Sequence, residues 1–474
     1  MVARTASAPA VQSLRATALL PWLVAVALFM EALDITILNT GVPVIARALG
    51  VTPLSMRSVL ASYTLGLAIF IPVSGWMADR FGTRKVFAAA IGIFTLGSLL
   101  CGLVSDIKLM VACRILQGSG GAMMMPVGWL TLARTFSKQD LVRAVSFVGI
   151  PGLVGPLLGP FVGGLIVTYL HWRMIFFLNI PFGIAGLILV YLHLPDYRGS
   201  ALAPFDAVGL VLFGSGIALL SYVLEIFGEH TLTAGKVLGL LTVSLTLICG
   251  YGLHGSRAPF PLLDLSLFRI RTFATATGGG FLTRLGIGGV PFLLPLLYQV
   301  GLGFTPAQSG LLFMPQVAAT MGTKVLIPKL LNHFGYRFVL ITNTVAVGVV
   351  VMLFSTIGPD TSVWMIVTLA LCLGVVTSIQ HTSMNTLVYA DIPATRTSSA
   401  NSIANTLQQL SFSFGVAASG LITLFLLPSG PRSALLVIVQ GLHRAFVGLG
   451  LVTIAAALIF NRLQREDGAT ASPK

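Results

Sequence analysis

Charge is scarce in this 474-residue chain: only 9% of its residues are Asp, Glu, Lys or Arg, and 14 of those are acidic. Soluble domains average about 25% charged residues, so a water-dissolved chain of this length is excluded. Cysteine is scarcer still, at four residues. Cys101, Cys113, Cys249 and Cys372 all fall inside apolar runs, which argues against disulfides and predicts four buried small residues. There is no H-E-x-x-H, no G-x-S-x-G and no clustered Cys/His set, so neither an enzyme nor a metal site is expected. A G-x-x-x-x-G-K-[ST] phosphate loop is missing too, and no stretch is left for a soluble domain, which disfavours an ATP-driven pump.

Apolar residues, by contrast, make up 56% of the chain, and its mean hydropathy is +0.95. A bilayer span needs about 20 of them, and roughly fourteen such runs can be marked, joined by short polar links. They lie near 19–40, 57–77, 86–104, 109–133, 144–168 and 174–194, then 207–227 and 237–254, then 274–300, 310–331, 338–357, 363–390, 400–427 and 441–461. The first run is too long for a signal peptide, carries two acids and has no small-x-small cleavage site, so it is expected to stay attached. Alternate links hold about 18 of the 28 Lys and Arg and the other side about seven. The net charge of +14 is therefore a topology signal rather than a nucleic-acid footprint. It places both termini and the basic loops in the cytoplasm.

The longest internal polar links, 195–206 and 254–273, bracket two spans with few polar residues. An all-α polytopic membrane protein follows, with two six-helix bundles and two extra linking helices. Its expected parts are a cytoplasmic N-terminus (1–18), a first bundle (19–195), a linker with two membrane helices (196–273), a second bundle (274–461) and a cytoplasmic tail (462–474). GWMADRFGTRKVF and NHFGYRFVL place an F-G-x-R turn after the second span of each bundle. Internal repeats of this kind let secondary transporters open a midplane site to alternate sides.

The run LLPWLVAVALFMEALDITILNTGVP carries Glu31 and Asp34 in its interior. A carboxylate there costs about 2.5–3.5 kcal/mol on insertion scales. Three residues apart, the two lie on one helical face with about 5–6 Å between Cβ atoms. Like charges that close do not ionise together freely, so the pair is expected to hold a proton that it can load and release. The alternative is that both sit at a helix end and face water. Arg114 lies inside the fourth span, and the acids of the first are its natural partners; backbone carbonyls are the other option. Protonating Asp34 would weaken such a pairing, which is a coupling mechanism. In the second bundle Arg284 and Lys324 fall mid-span, although Lys324 is long enough to snorkel outward. His381 stands with Gln380 and Asn385, and a lone histidine there is more often a bonded core residue than a ligand. Two interior acids against three interior bases would make a cavity neutral to basic.

Several stretches match a known family at spacing. Gly75-x-x-x-Asp79-Arg80-x-Gly82-x-Arg84-Lys85 resembles the loop signature of the major facilitator superfamily, and Arg114-x-x-Gln117-Gly118-x-Gly120 its buried-arginine signature. GIPGLVGPLLGPFVGG resembles the signature of its antiporters. Gly155, Gly159 and Gly163 recur every four residues there, on a face where a neighbouring helix can pack closely, and Pro156 and Pro160 bend or stiffen the helix. LDITILNTGVP and WRMIFFLNIPFG are similar to signatures of the fourteen-spanner drug:proton antiporter branch. QVGLGFTPAQSGLLFMP and NTLQQLSFSFG fit its second half, and GGAMMMPVG, FRIRTF and HTSMNTL look similar to the MdtD-like group of Gram-negative bacteria. The resemblance implies a monomeric, proton-driven exporter of the bacterial inner membrane, with no cofactor beyond the coupling proton. Its partners would be a small-molecule substrate and the lipid bilayer, and no nucleic acid. It further implies Asp34 as a proton site, with Glu31 and Arg114 beside it. Asn39, Gln117, Arg284, Lys324, Gln380, His381 and Asn385 are expected along the substrate cavity. Multidrug export is the expected function. Export of organic anions, such as carboxylates or metal–carboxylate complexes, is the rival that the basic tally keeps open.

Overall fold

A backbone in lipid must satisfy its own hydrogen bonds, which leaves helices as the solution for apolar runs of this length. The computed structural model of the chain, which describes residues 8–199, 204–226, 233–425, 435–464 and 466–467, is helical throughout and holds no strand among those residues. The outermost parts of the two expected tails, 1–7, 465 and 468–474, lie outside the described residues.

The first six long helices are α1 (Ala8–Ile37), α2 (Arg57–Phe81), α3 (Thr83–Leu103), α4 (Ile107–Thr135), α5 (Lys138–Tyr169) and α6 (Asn179–His193). The linking pair is α7 (Ala207–Ile226) and α8 (Ala234–Arg257). Then come α9 (Arg271–Gly288), α10 (Met314–Thr323), α11 (Ile327–Leu353), α12 (Val363–Tyr389), α13 (Thr397–Phe425) and α14 (Leu435–Ala455). Short helices extend several of these, among them Val42–Ala48 after α1, Val290–Leu296 after α9 and Pro306–Leu311 before α10.

Local signals set the ends. Asp106 caps α4 by accepting from the backbone N–H of Lys108 (2.8 Å) and Leu109 (3.0 Å). Thr305 and Gln308 form a reciprocal capping box ahead of Pro306. The two F-G-x-R turns expected at matching places both form. Gly82 has φ of 94° and Gly335 has φ of 75°, a left-handed backbone that glycine alone adopts freely. Gly335 breaks α11 into two legs.

Among the described residues, ten helices are long and apolar enough to cross a membrane by length and composition. This is a multi-pass membrane protein. The expected runs outside those ten fall on the more polar or interrupted helices. They are α4 with Arg114 and Gln117, α13 with its Ser, Thr and Asn, α10 with its breaks, and α5, which adds the shorter apolar stretch Val154–Tyr169.

Packing sorts the helices into two groups. In the first, α2 and α3 pack on α4, and α1 packs on α5; in the second, α10 pairs with α12, α9 with α13 and α11 with α14. The groups meet where α2 lies against α13 and α5 against Pro306–Leu311, and α7 touches both α2 and α13. Hydrogen bonds that cross the seam run from Gln299 to the Thr40 carbonyl (2.8 Å), from the Ala307 N–H to Thr168 Oγ1 (3.1 Å) and from Ser413 to the Ala61 carbonyl (3.0 Å). All lie towards the ends of the helices remote from the basic loops. At the basic-loop end the groups part around a cavity of about 780 Å³, lined by Ser74, Trp76, Asp79, Trp129, Asp264, Asn401 and Asn405 among others.

The cysteines correct one expectation. All four are free, but only Cys101 is buried; Cys113 is half-buried, and Cys249 and Cys372 are exposed. Small thiols are tolerated on the lipid-facing side of a helix as readily as inside it.

Candidate functional site

At the centre of the first group lies Asp34, 1% exposed, on the face of α1 that looks towards α4 and α6. Arg114 of α4, also 1% exposed, donates from Nη1 to Asp34 Oδ2 at 2.6 Å. Gln117, one turn on, donates to Asp34 Oδ1 at 2.9 Å, and Asn179 at the start of α6 donates to the same oxygen at 3.1 Å. Arg114 donates to Gln117 Oε1 as well (2.8 Å), and its guanidinium lies 4.3 Å from the ring centre of Tyr63 on α2. Asn179 donates in turn to Ser98 (3.0 Å), whose hydroxyl donates to the Phe176 carbonyl (2.8 Å). Five of the first six helices therefore contribute. Desolvating an ion pair is costly unless its remaining lone pairs are filled, and here both carboxylate oxygens are.

Glu31 sits one turn from Asp34 and is 8% exposed. Its Oε2 has no hydrogen-bond partner among the described residues, and the same is true of the Tyr63 hydroxyl.

The glycine face of α5 does what its spacing predicts. A Cβ on Gly155 would come within 3.0 Å of the Leu33 N–H, one on Gly159 would collide with Thr36, and one on Gly163 with the Ile37 carbonyl. The helices touch backbone to backbone beside Asp34. Pro160 is buried and its carbonyl accepts from Thr40 (3.0 Å), while Pro156 is half-buried in the same helix.

The loop signature lies at the basic-loop end. Asp79 pairs with Arg134 at 2.7 Å. The segment after α6 closes over the turn: the Thr83 N–H donates to the Tyr197 carbonyl (2.9 Å) and the Arg84 N–H to Asp196 (3.2 Å). Gly75, Arg80, Arg84 and Lys85 are exposed, and a Cβ at Gly82 would strike Asp196.

In the second group Arg284 is 4% exposed on α9, and its Nη2 donates to Asn385 Oδ1 at 2.6 Å. No carboxylate lies within ion-pair distance of it among the described residues, and Glu31 is not its partner. His381 is half-buried with its ring 6.3 Å from that of Phe412, and Asn39 is buried in the single turn that follows α1. Two expectations fail. Gln380 faces α11 rather than a cavity: it accepts from Asn343 (2.8 Å) and donates to Thr344 (2.8 Å), because a buried amide between two helices binds both. Lys324 is exposed, at the break that ends α10, and is not among the buried charges. Among the described residues the buried charged side chains are thus two acids, Glu31 and Asp34, and three arginines, Arg57, Arg114 and Arg284. Lys324 leaves the expected set of interior bases, and Arg57, whose Nη2 donates to the Glu225 carbonyl at 2.7 Å, enters it.

A family model described as Major Facilitator Superfamily matches residues 24–416. The chain belongs to that superfamily. Among its relatives, the MdtD protein of Serratia proteamaculans, named as a proposed multidrug resistance protein, is 37% identical over 446 residues, covering 93% of this chain and 92% of that one. The MdtD protein of Escherichia coli O7:K1, named in the same way, is 41% identical over 401 residues, or 85% of each. Solved structures share the fold. A D-xylose–proton symporter superposes with a TM-score of 0.67 at 15% identity, covering 94% of this chain and 98% of the other. The nucleoside transporter NupG superposes at 0.64 and 14%, covering 93% and 98%. As a superfamily member the chain is a small-molecule transporter.

Three site residues had no individual signal in the sequence: Tyr63, Ser98 and Asn179. Asn179 lies inside WRMIFFLNIPFG, whose one amide among apolar neighbours could have marked it. Tyr63 and Ser98 look like ordinary span residues until the helices are packed.

Proposed function

We propose that the chain is a proton-coupled efflux transporter that exports small amphipathic compounds, cationic drugs among them, across the bacterial inner membrane, as a monomer and without a cofactor beyond the proton. Both termini and the basic loops face the cytoplasm, where about 18 of the 28 basic residues gather. Residues 19–195 and 274–461 act as the two bundles that rock about the seam, with 196–273 joining them. The cavity at the basic-loop end is then the cytoplasmic entrance.

The observation that carries this reading is the buried Asp34–Arg114 pair at 2.6 Å, inside a chain whose relatives are named for multidrug resistance. Ionised, the pair is neutral and binds α1 to α4. Protonation of Asp34 leaves the guanidinium uncompensated in a low-dielectric interior, so the α1–α4 contact and the protonation state depend on each other. That reciprocity is what a carrier needs to link a proton to a conformational change. The relatives are named for multidrug resistance, which favours this reading over export of carboxylates or metal–carboxylate complexes.

The test is efflux of ethidium driven by a proton gradient in everted membrane vesicles. Asp34→Asn is expected to abolish it while leaving the protein folded in detergent. Wild-type rates in that variant would refute the reading.

A further inference from the structure

The two carboxylates of α1 differ in what is left for a ligand to bind. Asp34 has Arg114 on one oxygen and two amides on the other, so its acceptor positions are largely used by the protein itself. Glu31, on the same face and one turn nearer the basic-loop end, is more than nine-tenths buried and keeps Oε2 without a partner. Buried polar atoms are almost always bonded, and an exception calls for a ligand or a catalytic role. The unbonded hydroxyl of Tyr63 belongs to the same corner.

We propose that Glu31, rather than Asp34, is the carboxylate that the cargo occupies: it holds a proton in the empty carrier and an organic cation in the loaded one. The inference rests on the efflux reading above. The exchange balances, because Glu31–COOH and the cation give the Glu31 carboxylate–cation pair and one released proton. Asp34 stays paired with Arg114 during loading and positions α1 against α4. The charged and titratable groups around Glu31 are Asp34 on its own helix, Tyr63 on α2 and Arg114 on α4. Within α5, residues 144–168 carry no titratable side chain, and neither do 179–190 of α6, which present Asn179. A cation arriving there meets one guanidinium already neutralised by Asp34 and an open carboxylate oxygen.

The experiment uses the full-length protein in detergent, in weakly buffered solution near neutral pH, with ethidium as the probe. Proton release is read with a pH indicator and affinity by fluorescence anisotropy. Wild type is expected to release protons on binding. Glu31→Gln is expected to bind at least tenfold more weakly and to release none. Glu31→Asp, which keeps the carboxylate, is expected to recover release with an affinity between the two. Release or wild-type affinity in Glu31→Gln would overturn the inference and leave the efflux reading standing, and so would a folded Glu31→Asp protein that behaves like Glu31→Gln. Wild-type protein that binds no ethidium would overturn both.

Discussion

Arg114 and Arg284 are both buried arginines, one in each helix group, and each makes a 2.6 Å hydrogen bond to a side-chain oxygen. For Arg114 that oxygen belongs to a carboxylate; for Arg284 it belongs to the neutral amide of Asn385. The first group therefore neutralises Arg114 within a network spread over five helices. In the second, Arg284 has no carboxylate within ion-pair distance among the described residues and rests on the Asn385 amide. A charge held by several fixed dipoles resists moving, whereas one held by an amide on a single neighbouring helix can follow that helix. The difference suggests a division of labour, with a rigid charged centre in one group and an adjustable one in the other.

The comparison can be broken by substitution. Arg114→Ala should have the largest effect, because it strands the Asp34 carboxylate in a dry interior. Losing one partner of a buried pair costs about 3–5 kcal/mol, to be read as a lowered thermal unfolding midpoint together with lost efflux. Asn179→Ala should come next. It removes one donor to an ionised acceptor, worth about 1.5–3 kcal/mol, and should slow proton-driven ethidium efflux roughly tenfold. Arg284→Gln should matter less for transport: the guanidinium–amide bond it removes is of the same class, about 1.5–3 kcal/mol, but it lies outside the Asp34 network, so cation efflux should stay within a few-fold of wild type. A loss as large as that of Arg114→Ala would erase the contrast between the groups.

The smallest effect lies outside the membrane, where Asp206 meets His254 at 2.7 Å and accepts from the Leu262 N–H at 2.9 Å. Burial pushes the Asp206 carboxyl up, but the bonds from Gly209, His254 and Leu262 outweigh it and hold the group below its ordinary value. Its contribution is therefore complete above about pH 4 and is lost as the pH falls through the lowered value. Asp206→Asn should change stability by about 1 kcal/mol or less at pH 7. Acid titration of wild type should loosen the linker only well below neutrality, measured as protease cutting near residues 258–264.

Much of this was legible in the sequence. Apolar runs set where helices lie, because backbone in lipid has no other option, and the two F-G-x-R stretches announced their turns. The Asp34–Arg114 partnership was legible too, since a buried cation needs an anion and α1 offered two acids deep within a span of the same six-helix group. What hydropathy does not give is rotation about a helix axis. Lys324 and Gln380 occupy plausible depths, yet one is exposed and the other bonds to α11. Cys249 and Cys372 failed as expectations for the same reason. Tyr63 and Ser98 were missed because their importance comes from what packs against them, which depends on how α2 and α3 turn towards α4.

The glycine face of α5 also has a mechanical meaning. Through Gly155, Gly159 and Gly163 it grips α1 over more than two turns, and beyond them Gly164 presses on the Pro306 carbonyl across the seam. Without side chains between them, the two backbones have no padding in which to absorb a displacement. α5 then works as a lever whose fulcrum is the Gly164–Pro306 contact and whose load is the stretch of α1 that bears Asp34. A tilt at the seam reaches that carboxylate as a shift in position.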